Sequence, residues 1–480
     1  MKAKKSLSLL LALVLCVTVF AGCANVSKPT DGTTSASPKT SESTVVTEPA
    51  STQPKEPIEV VYWGTWGSDK KEFIERLAKE FNEMQNTYRV TYEYVGNMND
   101  LLAKLQVTDE ANLPTLINAT TEQNGTYMYS GLVEPIYNFA GKDDPFVSMI
   151  YGNLVSCWGD LDGNLIGYPM GNSMAGIYFN MDMLNQINVD PYKDIHCLED
   201  LYDICKQLVD KGIAKYAIGT DHSNIYLNYA LSIEGIHVVD NENGKSAPPT
   251  VSYYNKDGTR EYVKRYFQLW RNLSVGGYCY PLGSSWGNEI LPAFAKGDLA
   301  IVTGTIGGYA RLANAWNENH DTPCNIAFIP WQPITKNGRS SGLPASGNGF
   351  YIIKDPNVEA RKGAWEFIKF FSQDDHAAEW CTITGYLPIS EGCYHSPIYQ
   401  NYIKNNTLDF QFLIDAQQKS DILSYHPVTP INTEFQAAGL EALENIVADP
   451  NYDIDRAIDE MTEAINDALN MWQATYGKKR

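Results

Sequence analysis

Histidine is scarce in this chain and scattered. The seven in 480 residues (His196, His222, His237, His320, His376, His395 and His426) form no HExxH pair and no Cys/His cluster of zinc spacing, so no transition-metal site is expected. Basic clusters are missing as well. With 37 Lys and Arg against 57 Asp and Glu the formal charge is -20, a field that repels polyanions and argues against nucleic acid and anionic lipid headgroups as partners. Nucleotide and hydrolase signatures are incomplete. Gly244-Lys245-Ser246 has Val239 where a phosphate loop needs glycine, and Gly171-Asn172-Ser173 lacks the glycine two residues on that a nucleophile elbow needs. Asp160-Leu161-Asp162-Gly163-Asn164 resembles a calcium loop only in part, because Gly171 stands where a bidentate Glu would close it; a turn is the simpler reading. Acidic residues are plentiful, yet the sequence singles out no carboxylate pair for glycoside hydrolysis.

What is present begins with an export signal. Lys2, Lys4 and Lys5 precede an apolar run from Leu7 to Phe20, shorter than the roughly 20 residues that span a bilayer. Ala21-Gly22-Cys23 resembles the lipobox of bacterial lipoproteins, with Phe20 departing from the usual aliphatic residue. Residues 1–22 are therefore expected to be removed and Cys23 to carry a lipid. From Ala24 to Glu56, 17 of 33 residues are Ser, Thr or Pro, which reads as a flexible tether with a reach of roughly 30 Å. Of nine cysteines, Cys157, Cys197, Cys205, Cys279, Cys324, Cys381 and Cys393 remain beside Cys16 and Cys23. An odd, dispersed set is no disulfide framework; buried thiols or one or two bridges are both compatible with it.

Past the tether, periodicity predicts a strand over Ile58–Trp63, a helix over Lys70–Asn82, a strand over Arg89–Val95, a helix over Met98–Leu105 and a strand from Pro114 to Asn118. That βαβαβ rhythm implies a mostly parallel sheet flanked by helices. Further along, Gly176–Asn180 reads as a strand and Leu198–Lys211 as a helix. Ile454, Ala457, Ile458, Met461, Ala464, Ile465, Ala468, Leu469 and Trp472 form one helical stripe, which is core packing.

Several blocks resemble the extracellular solute-binding proteins of ABC importers, in the family 1 group serving sugars and related polyols. Gly167-Tyr168-Pro169-Met170 through Ser173 to Ile177-Tyr178-Phe179-Asn180-Met181-Asp182 is similar to that family's first crossing between lobes and its following strand, with Met181 replacing the usual Lys. Phe294-Ala295-Lys296-Gly297-Asp298-Leu299-Ala300-Ile301 is similar to its Phe-x-x-Gly-x-Ala-Met signature. A third block runs from Gly347-Asn348-Gly349-Phe350 through Ala364–Phe370 to Thr384-Gly385-Tyr386-Leu387-Pro388.

The resemblance implies a two-lobed α/β periplasmic-binding-protein-like fold, each lobe a mostly parallel sheet flanked by helices, with the ligand cleft between them. It places residues 57–168 plus 345–385 in one lobe and 169–344 plus 386–480 in the other, with crossings near Tyr168-Pro169, Leu343-Pro344 and Tyr386–Pro388. It also implies a monomeric, non-catalytic receptor without cofactor. Anchored on the outer membrane face of a Gram-positive bacterium, such a receptor delivers its solute to the transmembrane permease subunits.

Within the family the likeness is greatest to glycerol-3-phosphate-binding proteins, on Glu122, Ser173 and Tyr386. Yet Thr220 and Ser223 replace tryptophans expected around Gly219–Tyr229, and Thr433 replaces a phosphate-pairing Arg. Without that Arg, bidentate phosphate recognition is lost, which favours a neutral sugar or oligosaccharide over glycerol 3-phosphate or its diesters. Sugar recognition asks for aromatic faces and a few hydroxyl partners. Trp66, in the loop after the first strand, Trp286, flanked by small residues that leave its face open, and Tyr386 supply the aromatics. Glu122, Ser173, Thr305 and Asn348 supply polar contacts, while Trp63 reads as core.

Overall fold

A computed structural model describes residues 56–221, 225–336, 342–354, 356–420 and 425–477. The expected export signal, Cys23, the expected tether up to Lys55, and Ser223 lie outside this range. Ten strands build two sheets. The first contains β1 (Ile58–Gly64), β2 (Tyr88–Tyr94), β3 (Leu116–Thr120), β4 (Val133–Glu134), β5 (Tyr168–Pro169) and β10 (Asn348–Ile353), in the order β2-β1-β3-β10-β4 with β5 also on β10. The second contains β6 (Ala175–Asn180), β7 (Tyr216–Gly219), β8 (Leu299–Thr305) and β9 (Ile326–Pro330), in the order β7-β8-β6-β9.

One strand in each sheet runs against its neighbours. In the first sheet β10 is antiparallel to β3, β4 and β5; in the second β6 is antiparallel to β8 and β9. Both reversed strands are the first that the chain enters on changing sheet. The chain leaves the first sheet at Pro169 and starts β6 at Ala175, opposite Thr305 at the end of β8. It leaves the second sheet at Pro330 and starts β10 at Asn348, opposite Thr120 at the end of β3. Each crossing thus arrives where the other strands end, so loops from both sheets gather at their carboxyl ends, the place where open α/β sheets bind ligands.

Each sheet has its own core. Val60, Tyr62, Leu116, Phe350 and Ile352 pack with Phe73, Leu77 and Phe81 from the helix Ser68–Met84, whose apolar residues recur at three- and four-residue spacing. On the second sheet Ile177, Phe179, Ile218 and Ile301 pack with the helices Thr259–Val275 and Ile454–Tyr476. The terminal stripe is buried as expected at six of its nine positions, half-buried at Ala468 and Trp472 and exposed at Ala464, while Thr462 is buried and returns its hydroxyl to Ile458 O at 2.7 Å. The helix Asp374–Thr384 faces two ways: Trp380 belongs to the first core, whereas Ala377 and Cys381 join a third cluster with Tyr178, Phe294 and Tyr386.

The seven cysteines from Cys157 onward are all free and buried, and residues 160–164 form a turn closed by Asp160 Oδ1, which accepts from Asp162 N at 2.9 Å and Asn164 N at 2.8 Å. No helix among the described residues is long and apolar enough to cross a membrane.

Candidate functional site

The strand ends bring together five of the seven candidate side chains. Asn348 begins β10 beside Thr120, which places it next to Glu122 on the short turn Thr121–Gln123 after β3. The two segments are tied, because Thr121 N donates to Gly347 O at 3.0 Å. Ser173, just beyond β5, donates its amide to Ser346 O at 2.8 Å, and Ser346 returns its hydroxyl to Ser173 O at 2.8 Å. Tyr386, just beyond the helix Asp374–Thr384, turns its hydroxyl toward Asn348 and Ser173, within reach of the Glu122 charge. Burial, opposed by those two polar neighbours, pushes the Tyr386 hydroxyl up to about 12. Glycines let the ring in. A Cβ at Gly171 would lie 2.9 Å from the ring and one at Gly307 would lie 3.2 Å away. Trp66, half-buried, stands edge-on to both Trp380 and Tyr386, with ring centroids 5.2 Å and 6.4 Å apart.

Glu122 is half-buried and not a fully solvated loop residue. Burial pushes its carboxyl upward against hydrogen bonds from Thr120, Thr121 and its own backbone, and among the described residues it forms no ion pair. It lines a void of about 20 Å³ with Asn228, His426, Asn432 and Gln436. Thr433 is exposed, so its neighbours Asn432 and Gln436 are the residues that this helix turns toward Glu122.

Trp286 and Thr305 form a second group. The Trp286 indole donates to Thr303 O at 3.0 Å, and the Arg311 guanidinium stands 4.8 Å over its ring. The expectation of an open face is corrected: the π-helical turn Trp286–Ile290 lays the ring over Gly304 and Gly308, glycines distant in sequence from the small residues that flank it. Thr305 ends β8, where its carbonyl accepts the Tyr178 hydroxyl.

Sequence reasoning missed the aromatic residues that fill the space near Thr220. Tyr226 stacks on Trp331 at 4.7 Å and 26°. Its hydroxyl faces Asp221 and Thr303, and burial pushes it well above the ordinary tyrosine value. Tyr229 meets His426 edge-on at 4.0 Å, and burial drives that imidazole down to about 4, so it is neutral. Trp331 Nε1, His426 Nδ1 and Asp221 Oδ1 are buried without a hydrogen-bond partner among the described residues. Asn118 was also missed. Its amide carbonyl accepts from Tyr62 OH at 3.2 Å and Thr65 N at 3.0 Å, while its NH2 donates to Thr65 Oγ1 at 2.9 Å and Asn348 Oδ1 at 2.8 Å.

Residues 76–407 match the family described as bacterial extracellular solute-binding protein. The chain belongs to that family. The sn-glycerol-3-phosphate-binding periplasmic protein UgpB of Escherichia coli K12 is 24% identical over 355 residues, covering 72% of this chain and 78% of the relative. Among solved structures, the sugar-binding protein MalE of Xanthomonas citri superposes with a TM-score of 0.69 at 16% identity, covering 87% of this chain and 99% of that one. UgpB of Mycobacterium tuberculosis, in complex with glycerophosphocholine, gives a TM-score of 0.63 at 15% identity with 87% and 99% covered. Both likenesses agree with the two-sheet fold described above.

Proposed function

We propose that this protein is the substrate-binding receptor of an ABC importer, holding a carbohydrate reversibly and without catalysis between two lobes and passing it to the permease. The observation that carries this reading is the convergence of Trp66, Glu122, Ser173, Asn348 and Tyr386, from five separate stretches of chain, at the facing strand ends. Aromatic edges beside hydroxyl, amide and carboxyl groups suit a sugar, whose ring has apolar C–H faces and a polar rim. The Tyr226–Trp331 pair adds a second aromatic surface. Lobes comprising 57–168 with 345–385 and 169–344 with 386–480, hinged near Tyr168-Pro169, Leu343-Pro344 and Tyr386–Pro388, close over the solute. A lipid on Cys23 and the tether hold this monomer on the outer face of a Gram-positive membrane, at high effective concentration near the permease.

Glycerol phosphates and their diesters are the second reading, favoured by the names of the relatives. Against them stand the two half-buried carboxyls of Glu122 and Asp221, each pushed upward by desolvation, and Thr433 in place of a cation. Isothermal titration of the protein with neutral oligosaccharides and glycerol phosphates separates the two. Saturable binding of an unaltered sugar supports the proposal. Binding of glycerol phosphates alone replaces it with the second reading, and release of new reducing ends would point to a cell-surface glycoside hydrolase.

A further inference from the structure

One lysine meets the opposite lobe without a counter-ion. Asn241, Glu242, Asn243 and Gly244 form a left-handed turn with φ of 55°, 53°, 56° and 81°, a conformation that L-residues avoid because Cβ crowds the carbonyl. The turn is held from several sides. Val428 N donates to Asn243 O at 2.9 Å, Tyr425 OH to Glu242 O at 3.1 Å, and Asn243 Oδ1 accepts from Val238 N at 3.0 Å. Just before it, Val238 and Val239 lie in the core of the second sheet. Just after it the chain reaches across: Tyr129 OH donates to Gly244 O, and Lys245 Nζ donates to Ser156 O in the helix Gly152–Trp158, whose Leu154 and Trp158 lie in the first core.

Lys245 is 6% exposed, and its ammonium also sits 4.4 Å from the Tyr425 ring centroid. An ammonium has three donors. Among the described residues this one meets a single acceptor and no carboxylate. The charged or titratable groups around it are Cys157 and Asp160 from the first lobe, Tyr425, and Glu242 on its own turn. Asp160 is spent on closing its own turn. A buried cation lacking an ion pair opposes the contact that buries it.

Granting the receptor reading above, we infer that Lys245 is a brake on lobe closure: it biases the solute-free protein toward the open arrangement, so that the solute must supply the balance. In the contact with Ser156, burial lowers the lysine to about 8 from its ordinary 10.5. The closed form therefore binds fewer protons between those values, and raising the pH favours closure. Neither Cys157, pushed up to about 11, nor Tyr425, at about 12, ionises in the lower part of that window.

The test needs no solute. In the full-length protein, fluorophores on unnatural amino acids replacing the exposed Lys79 and Asp257, one on each lobe, report the interlobe distance. From pH 7 to 9.5 the closed-to-open ratio of the otherwise unaltered protein should rise about 30-fold, as the two lysine values require. Lys245→Met should already be closed at pH 7 and respond little to pH. A distance unchanged by pH, or a Lys245→Met distance equal to that of the parent at pH 7, overturns the inference. The pH titration stands even if the variant misfolds, which a thermal melt detects. Failure of every solute in the titration panel would sink the receptor reading and leave this measurement unaffected.

Discussion

The Tyr386 hydroxyl faces both Asn348 and Ser173, so a residue late in the chain meets the two segments that cross between the sheets. Removing only that hydroxyl, in Tyr386→Phe, should weaken sugar binding roughly 3- to 10-fold, the range expected for one hydrogen bond. Tyr386→Ala and Trp66→Ala should weaken it further, since both remove aromatic surface. Titration calorimetry checks all three against unchanged circular dichroism, and full affinity in both alanine variants would place the sugar elsewhere.

Glu122 supplies a pH signature. Its folded-state value is raised, so its contribution to stability is fully present below the ordinary carboxyl value of 4.5 and is lost as the pH rises through the folded value. The melting temperature of the solute-free protein should therefore fall as the pH rises from about 4.5, beyond what other groups produce. Glu122→Gln should flatten that part of the curve.

Asn118 links the loop carrying Trp66 to Asn348. Asn118→Ala would leave Tyr62 OH, Thr65 N and Asn348 Oδ1 without their partner. A loss of at least about 2 kcal/mol in denaturant unfolding is expected, together with weaker sugar binding.

Gly347 sits at φ 127°, where a Cβ would lie 3.0 Å from Gly171 O and 3.2 Å from Ser173 N. Gly347→Ala should destabilise the protein by roughly 1–3 kcal/mol and displace Asn348 from Tyr386. Chemical denaturation and titration with the bound sugar measure the two effects separately.

Much of this was legible beforehand, because alternation and helical spacing mark β1, β2 and the helix Ser68–Met84 directly. Glu122, Ser173, Asn348 and Tyr386 were found through motif resemblance, and the register of β10 on β3 is what makes them neighbours. Tyr226 and Tyr229 escaped notice because they lie in the apolar helix Ile225–Ile233, where aromatics read as core. Trp331 follows a buried strand and reads the same way. Trp286 misled for the opposite reason: small neighbours signal an open ring from sequence and a packed one in space. Asn118 lies within a buried strand, and only its partners, one of them 230 residues away, reveal its role.

The position of β10 also sets the order in which the protein can be made. It lies between β3 and β4, yet its residues come after the whole of the second sheet, so the first sheet stays split until residue 353 has emerged. Closing that gap joins segments more than 200 residues apart, which makes folding slow. Until β10 fills that gap, β4 has no strand to pair with and the facing edge of β3 stays open, so the first sheet cannot form as one unit.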